Sequence, residues 1–143
     1  MKNNKSKKKL KSVIDCYKQP IYVPETLYII KNTTKEQIDK LFEWKDDKSS
    51  IIEGNEGKYD AITFGFPYSK KDKRTCVVIV IHDNLVKEKD KLYQINVCAH
   101  EALHAAQDIL EYCNITLNRE TSETYAFMVG WVTQCMYETL MKK

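Results

Sequence analysis

No stretch of this chain stays apolar for the roughly 20 residues that a membrane-spanning helix needs, which excludes a helical span. The lysines at the N-terminus are not followed by the apolar segment that would make them a signal peptide. Cys-x-x-Cys is missing, although there are five cysteines: Cys16, Cys76, Cys98, Cys113 and Cys135. An odd count without that pair argues against a disulfide framework. It makes thiolate ligation of zinc a poor second to free thiols buried in a reducing, cytoplasmic setting. Internal repeats are missing too, so there is no solenoid and no second domain to seek.

Acidic residues are absent from the first 12 positions, which hold six lysines among Asn and Ser. The whole chain carries +3, and without those six charges residues 13–143 carry −3. The basic balance therefore belongs to the tail, and we expect 1–12 to be a flexible, solvated arm. A nucleic-acid contact through the Lys-rich residues 2–11 is the alternative. It has no support from base stacking, because no aromatic residue interleaves those lysines. The remainder, 13–143, is long enough for one domain with a single core, and 43% hydrophobic and 30% charged residues are ordinary for such a domain.

The order of elements reads β-α-β-β-α-α, an α+β chain with a small, mainly antiparallel sheet. Val13–Tyr17 reads as a short helical turn, and Thr26–Lys31 as the first strand, bracketed upstream by Pro20 and Pro24. Thr34-Lys35-Glu36-Gln37 is a capping box that opens a helix ending near Asp46. Ser50–Glu53 reads as a short strand. Tyr59–Phe66 alternates, with Ile62, Phe64 and Phe66 on one face, and Thr75–His82 is a buried strand. The two form a hairpin across a loop that begins at Pro67.

Histidine is scarce, with three in the chain, and two of them stand in His100-Glu101-Ala102-Leu103-His104. On a helix His100 and His104 share one face, a turn apart, and can take adjacent corners of a tetrahedral zinc site. Glu101 lies roughly 100° round the helix, beside the ion and not on it, where it can take a proton from a metal-activated water. The plain alternative is a helix whose histidines are merely solvated. Context favours the metal, because the motif sits in an amphipathic helix over 90–112. Leu92, Ile95, Ala99, Ala102, Ala106, Ile109 and Cys113 form its apolar stripe, and Asn96, His100, His104, Asp108 and Glu111 a polar one. His82, the remaining histidine, closes a strand and reads as a loop contact. As an oxyanion donor it ranks with Tyr112 and Tyr125, and none of the three is assigned.

A zinc site needs a third ligand. Gln107 and Leu110 stand where a metzincin carries Gly and a further His or Asp, so that class is rejected. Glu111, two turns down the same helix, cannot fold back. Asn114 can take the left-handed conformation that ends a helix, and a second helix is expected from about Arg119 to Leu140 with Asn118 as its N-cap. Gly130 inside it would let the two helices approach closely. Glu120 and Glu123 share a face of that helix, and Glu123 is about 4.5 Å deeper along the axis, closer to the level of His104.

The motif, its 18-residue spacer and the block Ser122-Glu123-Thr124-Tyr125-Ala126-Phe127-Met128-Val129-Gly130-Trp131 resemble the small gluzincin-like metallopeptidases of bacteriophages and prophages. The resemblance covers residues 92 to 135, with Glu123 fitting the Glu-x-x-Ala form of the third-ligand helix. It implies a minimal zincin-like fold, a sheet packed on the HExxH helix and a C-terminal ligand helix. It also implies Zn²⁺ held by His100, His104 and Glu123, with Glu101 as catalytic acid and base. In such folds an edge strand over the active-site helix holds an extended peptide by backbone pairing. One departure stands out: thermolysin-like chains carry Asp four residues after the ligating Glu, and here that residue is Phe127. The carboxylate that should orient a ligating histidine is thus unassigned. The expected function is a zinc-dependent hydrolase, most simply a peptidase, in the cytoplasm (of a bacterial host, if phage-encoded). The alternatives are an inactive metal-binding or protein-interaction module, or a nucleic-acid-associated regulator.

Overall fold

The computed structural model describes residues 10–143 apart from Pro20 and Glu25. In chain order the elements are β1 (Val13–Lys18), β2 (Thr26–Lys31), α1 (Lys35–Leu41), β3 (Phe42–Glu43), β4 (Ala61–Ser69), β5 (Arg74–Ile81), α2 (Asp83–Lys87), α3 (Lys91–Tyr112) and α4 (Ser122–Met141). Among the described residues this is an α+β arrangement of a five-stranded mixed sheet and four helices, with strand order β1-β2-β5-β4-β3. β2 and β5 pair in parallel and the other three pairings are antiparallel.

The unbroken apolar runs of β2 and β5 follow from their central position, where both faces are covered. Leu27, Ile29, Val77 and Ile79 face a core shared with α3 and α4. Tyr28, Ile30, Cys76 and Val78 face a second core with Ile38, Phe42, Ile51 and Ile52. No helix among the described residues is long and apolar enough to cross a membrane.

Val13–Tyr17 is not a helical turn but lies in the edge strand β1, paired antiparallel with β2. Five residues cannot sustain a helix alone, whereas their alternating burial suits a pleated edge. The capping box at Thr34 and Gln37 is present in both directions. Its helix stops at Leu41, because Phe42 turns extended and pairs with Ser69 in β3. Ser50–Glu53 makes no strand: Ile51 and Ile52 are buried from a turn. Pro67 lies inside β4, tolerated at a register shift between Gly65 and Tyr68 where Phe66 takes a left-handed φ of 65°.

α3 begins as expected, with Asp90 accepting the N–H groups of Leu92 and Tyr93. Its buried face is rotated from the expected stripe: Leu92 is 79% exposed, and Gln94 and Glu101 are buried instead. Gln94 is satisfied there by donating to the carbonyls of Leu85 and Glu88. A hydrogen-bonded polar residue on a buried face is invisible to a pattern of apolar letters. Asn114 does end the helix in a left-handed turn, φ 59°. Asn118 caps only the turn at Glu120 and Thr121, and α4 starts three residues later than Arg119. Gly130 is exposed, with nothing within 4 Å of a Cβ placed on it, so it serves no close helix approach.

Residues 1–9 of the expected basic arm lie outside the described residues. Lys11 and Ser12, at its end, are already attached: the Asn32 amide donates to the Lys11 carbonyl and Ser12 Oγ to the Asn32 carbonyl. The cysteines are free, and burial pushes the thiols of Cys76 and Cys135 up to about 12 and that of Cys98 to about 11. Cys16, by contrast, is exposed.

Candidate metal centre

The two imidazoles of α3 meet as their spacing requires. His100 Nε2 and His104 Nε2 are 3.2 Å apart, with ring planes at 72°. Two nitrogen ligands at about 2.0–2.1 Å on a tetrahedral ion stand about 3.3–3.4 Å apart. The separation of the pair therefore matches that of two corners of a zinc site. Both rings are exposed to a cleft of about 420 Å³.

Glu101 is buried beneath that cleft and held from β4. Thr63 Oγ1 donates to Glu101 Oε2 at 2.7 Å and also contacts the Glu101 carbonyl at 3.2 Å. The other oxygen, Oε1, lies 3.9 Å from His100 Nε2. One carboxylate oxygen is thus tethered while the other lies toward His100.

The opposite wall of the cleft is β4. Ala61, Thr63 and Gly65 alternate on the α3 side of that strand, with Ile62 and Phe64 turned to the other core. β3 pairs only with Tyr68 and Ser69, so among the described residues the outer edge of β4 from Ala61 to Gly65 carries no strand. A neighbouring hollow of about 240 Å³ continues past His100 to Asn96 and Tyr93, whose hydroxyl donates to Asp60 at 2.6 Å. Together the two form a groove along the open strand edge with the histidine pair in its floor.

Glu123 is not part of this groove. It is exposed in the first turn of α4, on the face opposite Tyr125, Met128 and Val132, which are buried. Glu120 precedes the helix and is exposed as well. Among the described residues, no three His, Cys, Asp or Glu side chains are grouped as a metal ion needs. His82 caps α2, its Nδ1 accepting the Asn84 N–H, and lines a separate cavity of about 220 Å³. Tyr125 donates to the Ile115 carbonyl and Tyr112 stacks on Phe66, so neither lines the histidine cleft.

Sequence reasoning passed over Thr63, Tyr59, Gly65 and, as an active participant, Asp108, all of which line the cleft. The available signal was the second face of the β4 alternation. Its small residues Ala61, Thr63 and Gly65 leave room for side chains from a crossing helix. Asp108 is half-buried, and burial raises its carboxyl above the usual range although the neighbouring His104 opposes the shift. Compared with family models, curated proteins and solved structures, the chain matches none.

Proposed function

We propose that this protein is a metal-dependent hydrolase of zincin type acting on peptide bonds, with His100 and His104 as two ligands of Zn²⁺. The observation that carries the reading is the 3.2 Å approach of the two Nε2 atoms above a tethered Glu101, beneath an open strand edge. When bound, the ion would polarise the scissile carbonyl and lower the pKa of the attacking water. Glu101 Oε1, on the histidine side of its carboxylate, would accept the proton of that water and return it to the leaving amine. Thr63 keeps this carboxylate from swinging away between the two transfers. The N–H and C=O groups on the outer edge of β4 would pair with an extended peptide and lay it across the groove.

Glu123 is our candidate for the third corner, and it reaches the pair only if the first turn of α4 reorients. Thr121 at the N-cap makes no side-chain capping bond, and the side-chain bonds of that turn run to residues 116–119 and not to the sheet. The distance of Glu123 from the pair also supports a second reading, an inactive scaffold that binds metal or protein without turnover. Zinc content and cleavage of a peptide library, measured on wild type and Glu101→Gln, separate the two. An enzyme loses cleavage in the variant while keeping zinc, and wild type that cleaves no better than Glu101→Gln contradicts the mechanism.

A further inference from the structure

A histidine that ligates through Nε2 carries its proton on Nδ1, and an acceptor at that proton sets the tautomer and stops the ring from turning. His104 directs Nε2 at His100, and its Nδ1 has no partner among the described residues. Asp108 lies one turn further along α3 and lines the same cleft. Side chains four apart on a helix have Cβ atoms about 5–6 Å apart, within reach of one another.

The Asp108 carboxylate makes no hydrogen bond or ion pair with any described residue. It lies against β4 at Gly65, where an added Cβ would stand 2.7 Å from its Cγ and Oδ2 and 2.9 Å from Oδ1. The missing side chain of Gly65 is therefore the space that admits a carboxylate at this depth. Phe127, which occupies the position of the acid in thermolysin-like chains, is 68% exposed and does not line the cleft. Besides Glu101, Asp108 is the carboxylate that lines the cleft together with His104.

We propose that Asp108 is the positioning residue of the centre, accepting the Nδ1–H of His104 and so holding Nε2 toward His100. The inference rests on the reading of the histidine pair as a metal site. The carboxylate now leans on Gly65, and rotation of its side chain toward the ring makes the bond. Asp108 touches neither substrate nor ion in this role, and its effect passes through His104.

The test uses the full chain, with zinc affinity from competition against a chromophoric chelator and the ring tautomer of His104 from long-range ¹H–¹⁵N spectra of the zinc-loaded protein. Asp108→Ala is expected to weaken zinc binding about 10–100-fold, the usual cost of removing an outer-shell partner, and to speed exchange of the His104 Nδ1 proton. Asp108→Glu is expected to restore most of both. Should Asp108→Ala not fold, Asp108→Leu has a similar shape with no acceptor and decides in the same way. Unchanged affinity and unchanged His104 signals overturn the role of Asp108 and leave the metal site standing. A wild type that binds no zinc overturns both together.

Discussion

The two ends of α4 are fastened in different ways. At the C-terminal end the partners come from far along the chain. Lys31, fully buried, donates to the carbonyls of Leu140 and Lys142, and Asp15 accepts from Thr139 and Lys142. A hydrogen bond of 2.9 Å joins the hydroxyls of Tyr17 and Thr139. At the N-terminal end the bonds within residues 114–122 are local. Asn118 accepts from Glu120 and Thr121, Thr121 Oγ1 donates to Thr116, and Ser122 donates to Arg119. Tyr125, a turn into the helix, reaches back only as far as Ile115. A cation set against the last carbonyls of a helix satisfies groups with no partner of their own and complements the helix dipole. Among the described residues the far end has no such tie to the sheet, and the turn that carries Glu123 is fastened by these local bonds and by the burial of Tyr125. α3 resembles the anchored end, with Glu101 near its middle tied to Thr63 and Tyr93 in its first turn tied to Asp60. The histidine half of the candidate centre is therefore tied to the sheet, and the Glu123 half is on a turn whose side-chain bonds are local.

The largest effect should come from the half tied to the sheet. Wild type should carry about one zinc per chain, and His100→Ala or His104→Ala should abolish it. Stoichiometric zinc in the double variant, by elemental analysis, would place any metal elsewhere. Next, Glu101→Gln should lower peptide cleavage about 10²–10⁴-fold with zinc and melting temperature retained. Equal cleavage by both proteins removes Glu101 from the chemistry.

The locally bonded half gives a smaller, sharper contrast. Glu123→Ala should weaken zinc by more than the roughly 10–100-fold of an outer-shell residue, and Glu120→Ala should do much less. Equal losses in a chelator competition would mean that the first turn of α4 does not deliver Glu123. Thr63→Val leaves the buried Glu101 carboxylate short of a donor and should cost about 1–3 kcal/mol in denaturant unfolding. No loss there would show that Thr63 does not anchor Glu101.

The smallest effect belongs to the anchored end of α4 and depends on pH. Burial alone would raise the Asp15 carboxyl, but hydrogen bonds from Lys142 and Thr139 overcome it and the net shift is downward. A carboxyl depressed in the folded state stabilises the fold above the ordinary Asp value of about 3.9. That contribution disappears as pH falls through the lowered folded value. Asp15→Asn should therefore lower the melting temperature at neutral pH, with the gap to wild type closing in acid. A gap that stays constant down to pH ~2 would assign the loss to packing instead.

Local signals in the chain were dependable where the interaction is local. The capping box at Thr34 and Gln37, the left-handed stop at Asn114, the hairpin of β4 and β5, and the facing of His100 and His104 all depend on residues close in sequence. Partnership with distant chain was not legible. Val13–Tyr17 became a strand because the edge of β2 was open, and Phe42 left its helix because Ser69 was there to pair with. The buried face of α3 turned to include Gln94 and Glu101, since acceptors on the α2 turn and a donor on β4 awaited them.

What the sequence by itself determined is the pair of histidines with an acid between them, because one helical turn brings such residues together whatever surrounds them. Which strand roofs them, which hydroxyl holds Glu101, and that Asp108 and not Phe127 shares their cleft were decided only by tertiary packing. So was the position of Glu123, facing away from the core. A helix fixes the angles among its own residues, but its rotation and depth against a sheet are set by every side chain it must bury and every polar group it must satisfy.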